Sequence, residues 1–145
     1  MPPADPLLLD STLADMARLP DWIDSLAAAH HLPETTRFAM QLTLEEAVAN
    51  VIRHAYQNQP GHPIAITCTT PTLGRLLVQV DDQAPLLDPL ALPARPAIGN
   101  HTSSVENIQI GGQGIRLMRE FTSALAYEAL PNGNRLLLTF TTHNP

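Results

Sequence analysis

The chain has 145 residues, 44% of them hydrophobic, which suits one domain with a single core and leaves no room for several. A net charge of −6 argues against a surface built to hold DNA or RNA, and the lone cysteine, Cys68, excludes a disulfide within the chain. All eight cationic side chains are Arg, so no lysine ammonium is available for a phosphate.

The first six residues are proline-rich and read as a loose start. No export signal is evident there, and no stretch approaches the ~20 apolar residues that span a bilayer, so a cytoplasmic protein without a membrane role is expected. Residues 7–9 can form a short edge strand. Asp10 or Ser11 can cap a helix running to about residue 31 on Leu13, Met16, Leu19, Ile23 and Leu26, with Pro20 as a break or kink. A second helix is expected over about 34–57. Residues 63–70 and 73–81 alternate as two antiparallel strands, joined near 71–74. Cys68 falls in the first of them and reads as a small core residue.

Residues 84–112 differ in texture, with prolines, Gly99 and the polar run Asn100-His101-Thr102-Ser103-Ser104. An irregular stretch of this length inside a domain is usually a functional loop or lid. A helix should start near 112–114 and end about 121. Strands over 123–129 and 135–142 then follow, joined by the turn Pro131-Asn132-Gly133-Asn134. This order suggests one α+β domain over 1–145, with helices on one face of a sheet.

Three segments carry chemistry. In the second helix, Glu46 and Asn50 lie one turn apart on the same side. A carboxamide oxygen can ligate Mg²⁺, and a carboxylate can take a proton from an attacking hydroxyl. Around residues 38–56 the apolar positions Leu42, Leu44, Ala47, Val48, Ala49, Val51, Ile52 and Ala55 fill a broad arc. Thr43, Glu46, Asn50, Arg53 and His54 crowd the remaining sector, which must face water or a cavity. Gln41 and Glu45 interrupt the apolar arc. The second segment is the strand that runs into Asp81-Asp82, where a carboxylate can accept a hydrogen bond from an adenine amine. The third is Gly111-Gly112-Gln113-Gly114-Ile115 at a helix start, where backbone N–H groups can approach an anion. Each segment alone also fits a plain structural role: a solvated helix edge, an acidic turn, a loop-to-helix junction. The P-loop is excluded, since no Lys-Ser/Thr follows the glycines, and so is the dinucleotide fingerprint.

Taken together and in order, the three segments resemble the GHKL (Bergerat-fold) ATPase superfamily, and most closely the RsbW-type anti-sigma factor serine kinases. Glu46-Ala47-Val48-Ala49-Asn50-Val51-Ile52-Arg53-His54-Ala55-Tyr56 is similar to the family's Glu-Ala-x-x-Asn-x-x-x-His-Ala-Tyr helix. Asp82-Gln83-Ala84 with Leu87-Asp88-Pro89 stands where the family has Asp-x-Gly and Phe-Asp-Pro. Gly111-Gly112-Gln113-Gly114-Ile115 matches the last box, and Gly133-Asn134-Arg135-Leu136-Leu137-Leu138 the closing strand. The resemblance implies a two-layer α/β sandwich with a mixed, mostly antiparallel sheet, and ATP and Mg²⁺ as cofactors. It implies Glu46 as general base and Asn50 as the Mg²⁺ ligand. The nucleotide site would draw on Asn50, Arg53, Asp82, Ala84, Gly111, Gly112, Gly114 and Ile115, with 84–111 as the ATP lid. Its partners would be a sigma factor and a STAS-domain anti-sigma antagonist, bound by a homodimer that makes no direct contact with nucleic acid. Ala84 in place of glycine departs from the pattern, and would crowd the ligand if that position needed a positive φ or touched adenine. A second reading therefore stays open: the same fold as a binding module that holds a sigma factor or antagonist without phosphotransfer.

Overall fold

Alternation at every second residue builds the sheet. The computed structural model describes residues 5–91 and 114–142. Within them five strands, β1 (Leu7–Asp10), β2 (Pro63–Thr69), β3 (Arg75–Asp82), β4 (Ala124–Leu130) and β5 (Gly133–Thr141), pair in the order β1-β2-β3-β5-β4. All four pairings are antiparallel, so the sheet among the described residues is simpler than a mixed one. β3 and β4 run in the same direction with β5 between them. The chain must therefore cross over from β3 to β4, and the helix α3 (Gly114–Phe121) lies in that crossover.

One face of the sheet is buried. Ile64, Ile66 and Cys68 of β2, Leu76, Val78 and Val80 of β3, and Leu136, Leu138 and Phe140 of β5 all point into the core. Burial pushes the Cys68 thiol up to about 11, which keeps it an inert core residue. Against this face pack α1 (Leu19–His30), α2 (Glu34–Asn50) and α3, through Leu19, Ile23, Leu26, Met40, Leu44, Val48 and Met118. The result is the expected α+β two-layer sandwich. On the other face the Arg135 guanidinium grips Asp81 through two bonds of 2.9 Å and reaches Glu128 across β4. Asp81 and Asp82 are neighbours in sequence, but the strand period of two sends them to opposite faces, and only Asp82 faces the helices.

The N-terminal helix differs from its expected form. Leu13–Arg18 is a 3-10 helix capped by Thr12, whose Oγ1 accepts from the Asp15 N–H. Asp10 and Ser11 are occupied elsewhere. The Asp10 carboxylate accepts from the Gly61 N–H, and Ser11 Oγ donates to the Gln59 carbonyl, so both fasten the approach to β2. Pro20 sits in the first turn of α1, where its missing N–H costs no helical bond. At the far end His31 takes a left-handed φ of 53°, and the Leu32 N–H closes on the Ala27 carbonyl.

Two features of α2 were not expected. Thr43, placed in the polar sector by its helical spacing, is fully buried and turns its hydroxyl back onto the Ala39 carbonyl at 2.7 Å. Gln41 and Glu45 belong to a polar ladder: Arg37 reaches Glu34, Asp24 of α1 and Gln41, and Gln41 donates to Glu45. The ladder accounts for the break these two residues make in the apolar arc.

Candidate functional site

The site begins where α2 stops being an α-helix. The sequence reads as helix through about residue 57, but α2 ends at Asn50 and Val51–Ala55 is a π-helical turn. The Tyr56 N–H bonds the Val51 carbonyl at 2.8 Å and the Asn58 N–H reaches back to Ile52. Gln57 and Asn58 then take positive φ and end the turn. A wider turn changes which side chains share a face. With α spacing Asn50 would be flanked by Arg53 and His54. In the structure Asn50, Val51, His54 and Ala55 line one hollow, and Arg53 is not among its lining residues.

The opposite wall of that hollow is formed by the end of β3. Asp82 is 6% exposed. Its Oδ1 accepts from the Ala84 N–H at 2.9 Å and from Asn134 Nδ2 at 2.8 Å. Burial holds the Asp82 carboxyl above the ordinary aspartate range, while the bonds from Asn134 and Ala84 pull the other way. Asn134 faces Asp82 directly across the β3–β5 pairing. Its carboxamide also donates to the carbonyls of Ala84 and Pro85 and accepts from the Leu87 N–H and the Tyr127 hydroxyl. From the other side, the Tyr56 hydroxyl donates to the Pro63 carbonyl and accepts from the Gln83 N–H, each at 2.7 Å. The residue after β3 is thus braced by both helix and sheet.

Gly133 makes the crossing of β3 and β5 possible. A Cβ there would lie 2.8 Å from the Asp82 carbonyl carbon and 2.9 Å from Gln83 Cα, closer than real side chains come to backbone. Gly133→Ala should therefore destabilise the protein by about 1–3 kcal/mol or more, as overpacking against backbone does. A denaturant melt checks this, and a variant as stable as the parent would show that the strands part easily.

Glu46 is not among the residues that line this hollow. It is half-buried, one α-turn before Asn50, and its carboxylate rests against Gly114, the first residue of α3. A Cβ at Gly114 would meet the Glu46 carboxylate oxygen and lie 3.1 Å from its Cδ, so only glycine leaves the acid where it is. Ile115, the next residue, lines the hollow together with Asn50 and Asp82. The structure thus brings Asn50, Asp82 and Ile115 to one hollow, while Glu46 and Gly114 touch each other outside its lining. Ala84 is buried beside Asp82 and does not adopt a positive φ, so its backbone has no need of glycine. Gly111, Gly112, Asn100–Ser104 and the lid beyond residue 91 lie outside the described residues. Tyr127 and Asn134 line the hollow and were not expected there, although Gly133-Asn134 was legible as part of the closing-strand motif; His54, which also lines it, was placed only in the polar sector of the helix.

The model of the histidine kinase-like ATPase domain matches residues 9–140. The chain belongs to that family. Within it, serine/threonine-protein kinase BtrW of Bordetella bronchiseptica is 33% identical over 119 residues, covering 81% of this chain and 80% of BtrW. Solved structures share the histidine kinase-like ATPase fold. The RsbU and RsbW domains of Rv1364c from Mycobacterium tuberculosis align with a TM-score of 0.64 at 14% identity, over 97% of this chain and 32% of that one. This chain therefore spans about a third of that longer protein. The mycobacterial sensor histidine kinase MprB aligns at a TM-score of 0.55 and 11% identity, over 97% and 99% of the two chains. The GHKL resemblance carried by the sequence motifs holds, and a histidine kinase-like ATPase domain implies ATP as the ligand class.

Proposed function

We propose that the chain is an ATP- and Mg²⁺-dependent protein serine kinase of the anti-sigma type, which phosphorylates a STAS-domain antagonist and otherwise holds a sigma factor, acting as a cytoplasmic homodimer. The observation that carries this reading is the convergence of Asn50 and Asp82 on one hollow, with Glu46 one helical turn before Asn50. Asp82 Oδ2 would accept the exocyclic amine of adenine, which a base without that donor would leave unpaired. The apolar side chains Val51, Val80, Ile115 and Leu136 would cover the faces of the base.

Asn50 suits a Mg²⁺ that also binds the phosphates. Among the described residues no three His, Cys, Asp or Glu side chains come together as a metal site of their own. Mg²⁺ ordinarily keeps several waters and takes one or two protein oxygens plus phosphate oxygens, and a single carboxamide fills that place. When bound, the ion would neutralise charge on the phosphates. Glu46, held against Gly114, would accept the proton of the attacking serine hydroxyl. BtrW is named as a serine/threonine-protein kinase, which supports the same chemistry.

Ala84 and the missing Lys were the features that favoured a binding module without catalysis; the ordinary backbone at Ala84 removes the argument from a positive φ. Incubation with γ-labelled ATP, Mg²⁺ and a STAS-domain protein tests the proposal. Label should appear on a serine of the STAS protein. ATP bound without any transfer would support the binding module instead.

A further inference from the structure

We infer that the apolar ledge formed by Phe38 and Leu42 of α2 with Leu117 and Phe121 of α3 is where the serine-bearing protein docks, with Phe38 as the anchor. The inference rests on the kinase reading above and adds to it the surface that holds the substrate protein.

Two contacts fix how α2 and α3 lie. Gly114, at the start of α3, rests against Glu46, and Phe121, at its end, meets Phe38 edge-on with ring centroids 6.2 Å apart. The two helices are therefore antiparallel. Phe38, Leu42 and Glu46 recur at every fourth residue and share one side of α2. Gly114, Leu117 and Phe121 share one side of α3 by the same helical spacing. Glu46 and Gly114 thus mark one end of a seam between the helices and the two phenylalanines mark the other, with a leucine of each helix between.

This seam is open to solvent. Phe38 is 51% exposed, and Leu42, Leu117 and Phe121 are each partly exposed. No other Phe, Tyr or Trp among the described residues stands out so far. Phe38 is also braced, because Phe121 packs against it. A large ring already held in place loses little freedom when a partner covers it, and such side chains dominate the energy of protein interfaces.

The position of Glu46 decides the occupant. A general base must come within hydrogen-bond reach of the hydroxyl it deprotonates. Glu46 lies outside the lining of the hollow that Asn50 and Asp82 share, against α3. A serine brought to that carboxylate arrives on a protein much wider than one side chain, and that protein must cover the residues around Glu46. The ledge starts there. Phe38 lies eight residues before Glu46, about 12 Å along the helix axis. The substrate protein should therefore present an apolar side chain about that far from its acceptor serine.

Steady-state kinetics on the STAS-domain protein that the assay above labels test the ledge. Phe38→Ala should raise KM for that protein about five- to thirtyfold, the cost of truncating an interface anchor, and leave kcat and the KM for ATP within about twofold. Phe38→Leu, which keeps an apolar side chain, should recover most of the loss. Leu73→Ala, at a fully exposed leucine in the turn between β2 and β3, should change neither constant. An unchanged KM for the STAS protein in Phe38→Ala would overturn the inference. A raised KM for ATP in the same variant would assign the ledge to the chain's own nucleotide lid, and an altered oligomeric state by sedimentation would assign it to a second copy; either result overturns docking of the substrate. A wild type that labels no STAS protein would overturn the kinase reading itself, and this inference with it.

Discussion

Glutamine in place of Glu46 should leave ATP bound and stop its use. The two side chains have the same length and shape, so the amide fits against Gly114 where the carboxylate stood. What disappears is the proton acceptor. General-base catalysis typically contributes about 10²–10⁴-fold, and the phosphotransfer rate should fall by that factor. ATP affinity should stay within a few-fold, because Asn50 and Asp82, which face the hollow, are untouched. Calorimetry for binding and initial rates of label transfer for chemistry separate the two effects. Retained phosphotransfer would remove Glu46 from the role of base.

Asp82→Asn should act in the opposite sense, with binding lost and the fold kept or strengthened. Asparagine can still accept the Ala84 and Asn134 bonds on Oδ1. Its Nδ2 then points toward the incoming amine, donor against donor. Loss of a hydrogen bond to a charged group costs about 1.5–3 kcal/mol, so ATP affinity should fall roughly 10- to 100-fold. Stability follows from the sign of the Asp82 shift. Burial raises its folded pKa above the unfolded value, so its contribution to stability is greatest below the unfolded value and is lost as pH rises through the folded one. Asparagine has no charge to bury. The melting temperature of the variant relative to wild type should therefore climb as pH rises from about 4, the ordinary aspartate value. A difference that stays flat with pH would show that Asp82 ionises in the fold without penalty.

Much of this architecture was legible in particular residues. Ile64, Ile66 and Cys68, and Leu76, Val78 and Val80, announce two half-buried strands by period alone. The Glu46–Asn50 spacing lies in the regular part of α2, and of the two Asn50 lines the hollow. Arg53 and His54 were grouped with them on the same rule; past Asn50 the turn widens, and His54 lines the hollow whereas Arg53 does not. Nothing in the run 51–55 distinguishes π from α spacing. Asn134 was harder still. It lies 52 residues from Asp82, and only the β3–β5 register brings them face to face. Gly133 reads as a turn residue until the backbone of Asp82 and Gln83 is seen beside it. Local pattern thus located the side chains of one helix, whereas pairing across the sheet set the surroundings of the acid.

Thermal denaturation with ATP, ADP and GTP, each with and without Mg²⁺, asks whether the hollow that Asn50 and Asp82 line holds an adenine nucleotide, as we propose. ATP and ADP at ~100 times their Kd should each add about 2.7 kcal/mol of stability, and GTP, whose base lacks the 6-amino donor, should add almost none. Stability unchanged by either adenine nucleotide, or raised equally by GTP, would contradict the account.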